Sequence, residues 1–177
     1  MSKLANRQPV LKPQDFYLLL ALATRADQAR TYPELATYTG LSMSEVHASL
    51  RRTEAARLLF FANKQPQIIM SAFKEFLYHG AKYAFPAARA SMVAGIPTAH
   101  ATVPLNALIA PSADPPPVWP SIDGSIRGIA LIPLYPSAPA AALRNPALHE
   151  NLALFDALRT GNVRERTRAE GLFEERL

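Results

Sequence analysis

Residues 31 to 52 read Thr31-Tyr32-Pro33-Glu34-Leu35-Ala36-Thr37-Tyr38-Thr39-Gly40-Leu41-Ser42-Met43-Ser44-Glu45-Val46-His47-Ala48-Ser49-Leu50-Arg51-Arg52. Thr31 and Glu34 stand three apart, the spacing at which a hydroxyl and a carboxylate satisfy each other's backbone N–H groups at a helix start. A short helix follows to Thr39. Gly40 can take the left-handed conformation that stops a helix in one residue. Leu41 then enters the core, and Ser42 and Glu45 repeat the capping pattern. The stretch therefore predicts two capped helices one tight turn apart.

The small Ala36, the turn glycine Gly40 and the inward Val46 follow the spacing Ala-x3-Gly-x5-Val of a helix-turn-helix. Working outward, Phe16, Leu19, Leu20 and Ala23 recur at helical spacing after Pro13, with Leu18 and Leu22 beside them, and predict a strongly buried first helix. On the other side, Leu58 to Phe61 reads as a strand, Asn63 to Pro66 as a turn and Gln67 to Met70 as a returning strand. Phe73, Phe76 and Leu77 mark a further helix that Gly80 can close. In this order of elements residues 13 to 80, a little under half the chain, resemble the winged helix-turn-helix regulators, most nearly the MarR type. The match is in order and spacing, with no signature peptide. The resemblance implies binding of double-stranded DNA by a homodimer, with the second motif helix in the major groove and the hairpin as the wing.

With Val46 and Leu50 inward, Ser44, Ala48, Arg51 and Arg52 fall on the outward face of the second motif helix, flanked by His47 and Glu45. Small Ser44 and Ala48 let the backbone approach base edges, His47 can hydrogen-bond an acceptor, and Arg51 and Arg52 can reach guanine edges or phosphates. Arg57 and the wing-tip Lys64 add phosphate or minor-groove contacts. With Ser42 at the helix start, these residues are the expected DNA-binding set. Glu45 is first of all a cap.

The 177 residues are 49% hydrophobic and 19% charged, enough for a sizeable core, and carry a net charge of +5. Residues 1 to 82 hold eleven Lys/Arg against six Asp/Glu, and residues 83 to 177 hold eight of each, so the whole excess lies in the basic head. That location favours a polyanionic partner for the head. Twelve of the sixteen prolines lie between Pro86 and Pro146. Three parts follow: a DNA-binding domain at 1–82, a proline-rich ordered wrap at 83–145 and a C-terminal helical hairpin at 146–177. The wrap carries Pro115-Pro116-Pro117, a turn at Ile122-Asp123-Gly124-Ser125 and one strand from Ile126 to Leu134. Trp119 and Tyr135 beside that strand read as core, or alternatively as a ligand platform. In the hairpin, Leu148, Leu152, Phe155 and Leu158 form one stripe, and Leu172, Phe173 and Leu177 an edge that needs cover. The predicted fold class is thus mainly α with a small β-hairpin, then a proline-rich segment with one strand and two terminal helices.

Cysteine is absent, which excludes thiolate catalysis, disulfides and Cys-ligated metal. His47, His79, His100 and His149 have no metal-ligand spacing, and no phosphate loop or nucleophile elbow occurs, so neither an enzyme nor a cofactor is expected. The longest apolar run, Phe16 to Ala23, is too short for a membrane span, and Met1 to Leu11 does not read as a secretory leader, so a cytoplasmic protein is expected. The functional expectation is a sequence-specific transcriptional regulator, a dimeric repressor. The alternative is an antitoxin-type autorepressor whose C-terminal helices bind and neutralise a partner protein.

Overall fold

A computed structural model describes residues 10–24, 31–110 and 113–177. The first nine residues, on which most of the reading of the leader rests, lie outside them. The described chain is mixed α/β, with eight α-helices and two small sheets.

The N-terminal part holds helices α1 (Pro13–Ala23), α2 (Tyr32–Thr39) and α3 (Met43–Ala55), then the antiparallel strands β1 (Leu59–Ala62) and β2 (Gln65–Ile68) and helix α4 (Met70–His79). Both expected capping boxes form: the Thr31 and Ser42 hydroxyls accept from the N–H groups of Glu34 and Glu45, whose carboxylates accept in return. Gly40 ends α2 at φ 71°, and a Cβ there would also meet the Ser137 side chain at 3.2 Å. The β1–β2 loop is only Asn63-Lys64, both at positive φ, as a two-residue hairpin turn of the right twist requires. That tight turn shifts the second strand to begin at Gln65 and frees Met70 to open α4.

Helix α1 is the centre of the molecule. Every residue from Asp15 to Ala23 is buried, so it has no solvent stripe and must be enclosed on all sides. Phe16 meets Phe73, Phe76, Phe85 and Phe155 at ring centroid distances of 4.8 to 6.0 Å. Of these, the fully buried Phe16, Phe73 and Phe155 each contribute roughly 1.5–3 kcal/mol by leaving water.

After α5 (Ala81–Ala84), the proline-rich segment holds three strands where the sequence predicts one: β3 (Arg89–Pro97), β4 (Pro117–Pro120) and β5 (Ile126–Leu131). β3 pairs antiparallel with both others, and β4 and β5 pair in parallel, closing a small barrel. The prolines are compatible with strands because they stand at or beside strand ends and serve as acceptors: Ile129 N donates to Pro116 O at 2.8 Å and Thr98 N to Pro117 O at 3.1 Å. At two glycines the strands come too close for a Cβ atom. A Cβ on Gly128 would lie 2.0 Å from Pro116 O, and one on Gly95 would lie 2.3 Å from Trp119 O.

Helices α6 (Ala138–Arg144), α7 (Pro146–Thr160) and α8 (Val163–Glu174) complete the chain; α6 is not foreseen in the sequence. Residues 151 to 158 of α7 are all buried, and Asn151 Nδ2 donates to Leu20 O of α1 at 3.1 Å. One hydrophobic core runs from Phe16 through Leu105 and Trp119 to Phe173. The expected edge of Leu172, Phe173 and Leu177 is covered by this core: Phe173 is buried, and its two neighbours pack against it.

Candidate nucleic-acid interface

The two faces of α3 are sharply different. Val46, Ser49, Leu50 and Thr53 are buried, while Ser44, His47 and Arg51 are exposed and Ala48 half-exposed between them. Positions 44, 47, 48 and 51 follow the i, i+3, i+4, i+7 stripe of a helix, so these four side chains share one solvent face. The His47 ring stands edge-on to Tyr32 of α2, 6.0 Å between centroids. Arg51 keeps 63% of its side chain exposed and pairs with Glu54 one turn on, at 2.7 Å. An exposed i,i+3 pair of this kind is weak, so the guanidinium can exchange Glu54 for another anion.

Arg52 faces elsewhere. Its Nε and Nη2 donate to the two oxygens of Asp15, at 2.8 and 2.6 Å, and Nη2 also reaches Ser49 Oγ at 3.3 Å. The residue beside the stripe thus ties α3 to α1 and is turned from solvent. Ser42 is occupied as the cap of α3. Arg57 is exposed at φ 59° in the turn before β1, and Lys64 is exposed at the hairpin tip at φ 64°. Phe60 on β1, 48% exposed, adds an apolar side chain to the hairpin surface.

The start of α3 is anchored by a residue far along the chain. Tyr135 donates from its hydroxyl to Glu45 Oε1 at 2.6 Å, and its ring stacks on Tyr17 at 5.9 Å. This bond, followed by those from Ser42, holds the Glu45 carboxyl below the usual glutamate range. Ser137 Oγ donates to Thr39 O at the end of α2, at 2.8 Å. The segment between β5 and α6 therefore braces the turn between α2 and α3.

No family model, curated protein or solved structure matches the chain.

Trp119 and Tyr135 do not form an open platform. Trp119 is buried, and its Nε1 donates to Asp156 Oδ2 at 2.7 Å. The same carboxylate accepts from Thr98 Oγ1 at 2.7 Å and is paired with Arg159, both charges being almost wholly enclosed. Neither Asp15 nor Asp156 is singled out by sequence reasoning. The available signal is a lone carboxylate within an apolar helix, Phe16 to Ala23 following one and Leu152 to Leu158 surrounding the other, because a buried charge requires a partner. Among the described residues no helix is long and apolar enough to cross a membrane, and no three acidic or histidine side chains are grouped to hold a metal.

Proposed function

We propose that this chain is a winged helix-turn-helix regulator of the MarR type that binds double-stranded DNA sequence-specifically, as a dimeric cytoplasmic repressor and not as an enzyme. The observation that supports this most is the stripe Ser44, His47, Ala48 and Arg51: small residues flanked by a hydrogen-bonding ring and an arginine, on the exposed face of a doubly capped helix whose other face is fixed in the core. Small side chains permit close approach to base edges, and arginine is the residue best shaped for guanine. Arg57 and Lys64 supply phosphate contacts from the hairpin. Arg52 is left out of the reading set and acts as the tie that orients the helix.

A single stripe covers only a few base pairs, so two copies, with recognition helices about 34 Å apart, are part of the proposal. The antitoxin alternative has less support, because the apolar side chains of the last helix that a partner would use already pack on the core.

The test is fluorescence anisotropy of the full chain with labelled DNA from upstream of its own coding sequence, over a range of salt. The expected result is salt-dependent binding that the double variant Arg51→Ala, Lys64→Ala weakens, with the log–log salt slope falling by about 2. Unchanged affinity and slope in a folded variant would remove the interface.

A further inference from the structure

A cleft of about 410 Å³ lies on the other half of the fold, where β3 and β5 meet the α7–α8 corner and the turn around His100. That volume suits a small organic molecule. Its floor is apolar: Ile129 and Leu131, two apart on β5, project to one face, and Ile109 closes a side. Arg89 lies directly opposite Leu131 in the strand register and stands over the same face.

The rim carries two arginines and two carboxylates that are not paired with each other. Arg89 donates only to a carbonyl, Thr160 O, at 3.2 Å, and Arg164 has no hydrogen bond or ion pair among the described residues. One carboxylate of the cleft has other partners: Glu165 takes hydrogen bonds from Asn162 N and Nδ2, at 3.1 and 3.2 Å, and meets His100 Nδ1 at 3.3 Å. Asp114, the second acidic residue of the cleft, is exposed at its edge and engaged in an interaction of its own. Among the described residues, two guanidiniums without a carboxylate partner thus line a cleft with an apolar floor. Guanidinium presents a planar fork of donors matched to a carboxylate, and the floor suits a hydrocarbon body.

We propose that this cleft is a binding site for a small organic acid, its carboxylate held between Arg89 and Arg164 and its apolar body seated on Ile109, Ile129 and Leu131. The proposal is independent of DNA binding, since none of these residues belongs to α3 or the hairpin.

The test is a titration of the full chain followed by amide NMR, with sodium hexanoate, sodium acetate, hexanamide and inorganic phosphate as probes. Hexanoate is expected to shift the amides of Ile129, Leu131 and Arg164 saturably and to bind about tenfold more tightly than acetate, because acetate lacks the body. Hexanamide, lacking the charge, is expected to bind at least about tenfold more weakly than hexanoate. Arg164→Gln and Arg89→Gln should each weaken hexanoate by a similar factor while the remaining spectrum stays that of the folded protein, and Arg51→Ala should leave it unchanged. The proposal is overturned if hexanoate gives no saturable shift in the cleft, if hexanamide or phosphate binds as tightly as hexanoate, or if both arginine variants bind as the parent does. Because the readout contains no DNA, these results are separate from the outcome of the anisotropy experiment.

Discussion

The guanidinium of Arg52 grips the buried carboxylate of Asp15 by two parallel hydrogen bonds, across 37 residues of sequence. Lys12 N donates to the same carboxylate at 2.9 Å, so one acid caps α1 and ties it to α3. Removing the arginine leaves an enclosed negative charge with one backbone donor. Breaking such a pair costs about 3–5 kcal/mol. Arg52 is 21% exposed, which places the expected loss for Arg52→Met near the lower end. Urea denaturation measures it. The double variant Asp15→Leu, Arg52→Met should recover most of the loss, and a single variant as stable as the parent would contradict the tie.

Asp156 offers a second test of enclosed charge. It accepts from Thr98 and Trp119 and pairs with Arg159. Asp156→Asn keeps the shape but leaves Arg159 uncompensated, and the expected cost is about 3 kcal/mol or more. Trp119 is the only tryptophan, so its emission reports the site directly. A red shift in the variant, at temperatures where α3 and the hairpin still give a folded spectrum, is the expected local signature.

The hydroxyl of Tyr135 gives a pH-dependent prediction. Glu45 has a lowered folded value, for which Tyr135 is the largest cause. A depressed carboxylate stabilises the fold above its unfolded value of about 4.3, and that contribution is lost as the pH falls through the folded value. Tyr135→Phe should therefore lower the melting temperature at pH 7. The gap between variant and parent should narrow as the pH is taken below 4. A gap independent of pH would show that the ring stack on Tyr17, and not the hydroxyl, carries the effect.

Glu54 competes with DNA for Arg51 in the proposed interface. Glu54→Gln releases the guanidinium and removes a negative charge from the same face, so DNA affinity at low salt should rise severalfold and the salt dependence should steepen. Weaker binding would mean that Glu54 positions Arg51 for its contact.

How far the residues disclose this molecule depends on the range of the forces at each place. The caps at Thr31 and Ser42, the turn at Gly40 and the stripe at 44, 47, 48 and 51 are set by neighbours within four positions, and all are legible in the chain. The barrel is not, because proline statistics argue against strands, and the compensating facts are long-range: carbonyls of Pro116 and Pro117 finding donors, and Gly95 and Gly128 allowing backbones to touch. The wheel places Arg52 on the outward face, whereas the structure turns it to Asp15. Only the position of Asp15 on another helix decides it. The arginine pair of the cleft is likewise separated by 75 positions in sequence and joined by a strand end meeting a helix start.

Helix α1 is among the first parts of the described chain to be synthesised, yet it is enclosed on every side, and part of that enclosure is Asn151 and Phe155 of α7. A nascent chain with residues 13 to 82 already outside the ribosome can set Phe16 against Phe73 and Phe76 but still lacks its partners Phe85 and Phe155, and Leu20 O lacks the amide of Asn151. The basic head therefore keeps its most apolar helix only partly covered until the seventh helix has emerged. Ribosome-bound chains ended before residue 146 should need holding by a chaperone that a chain reaching residue 177 does not. In this protein the burial of the first described helix is completed only by one of the last.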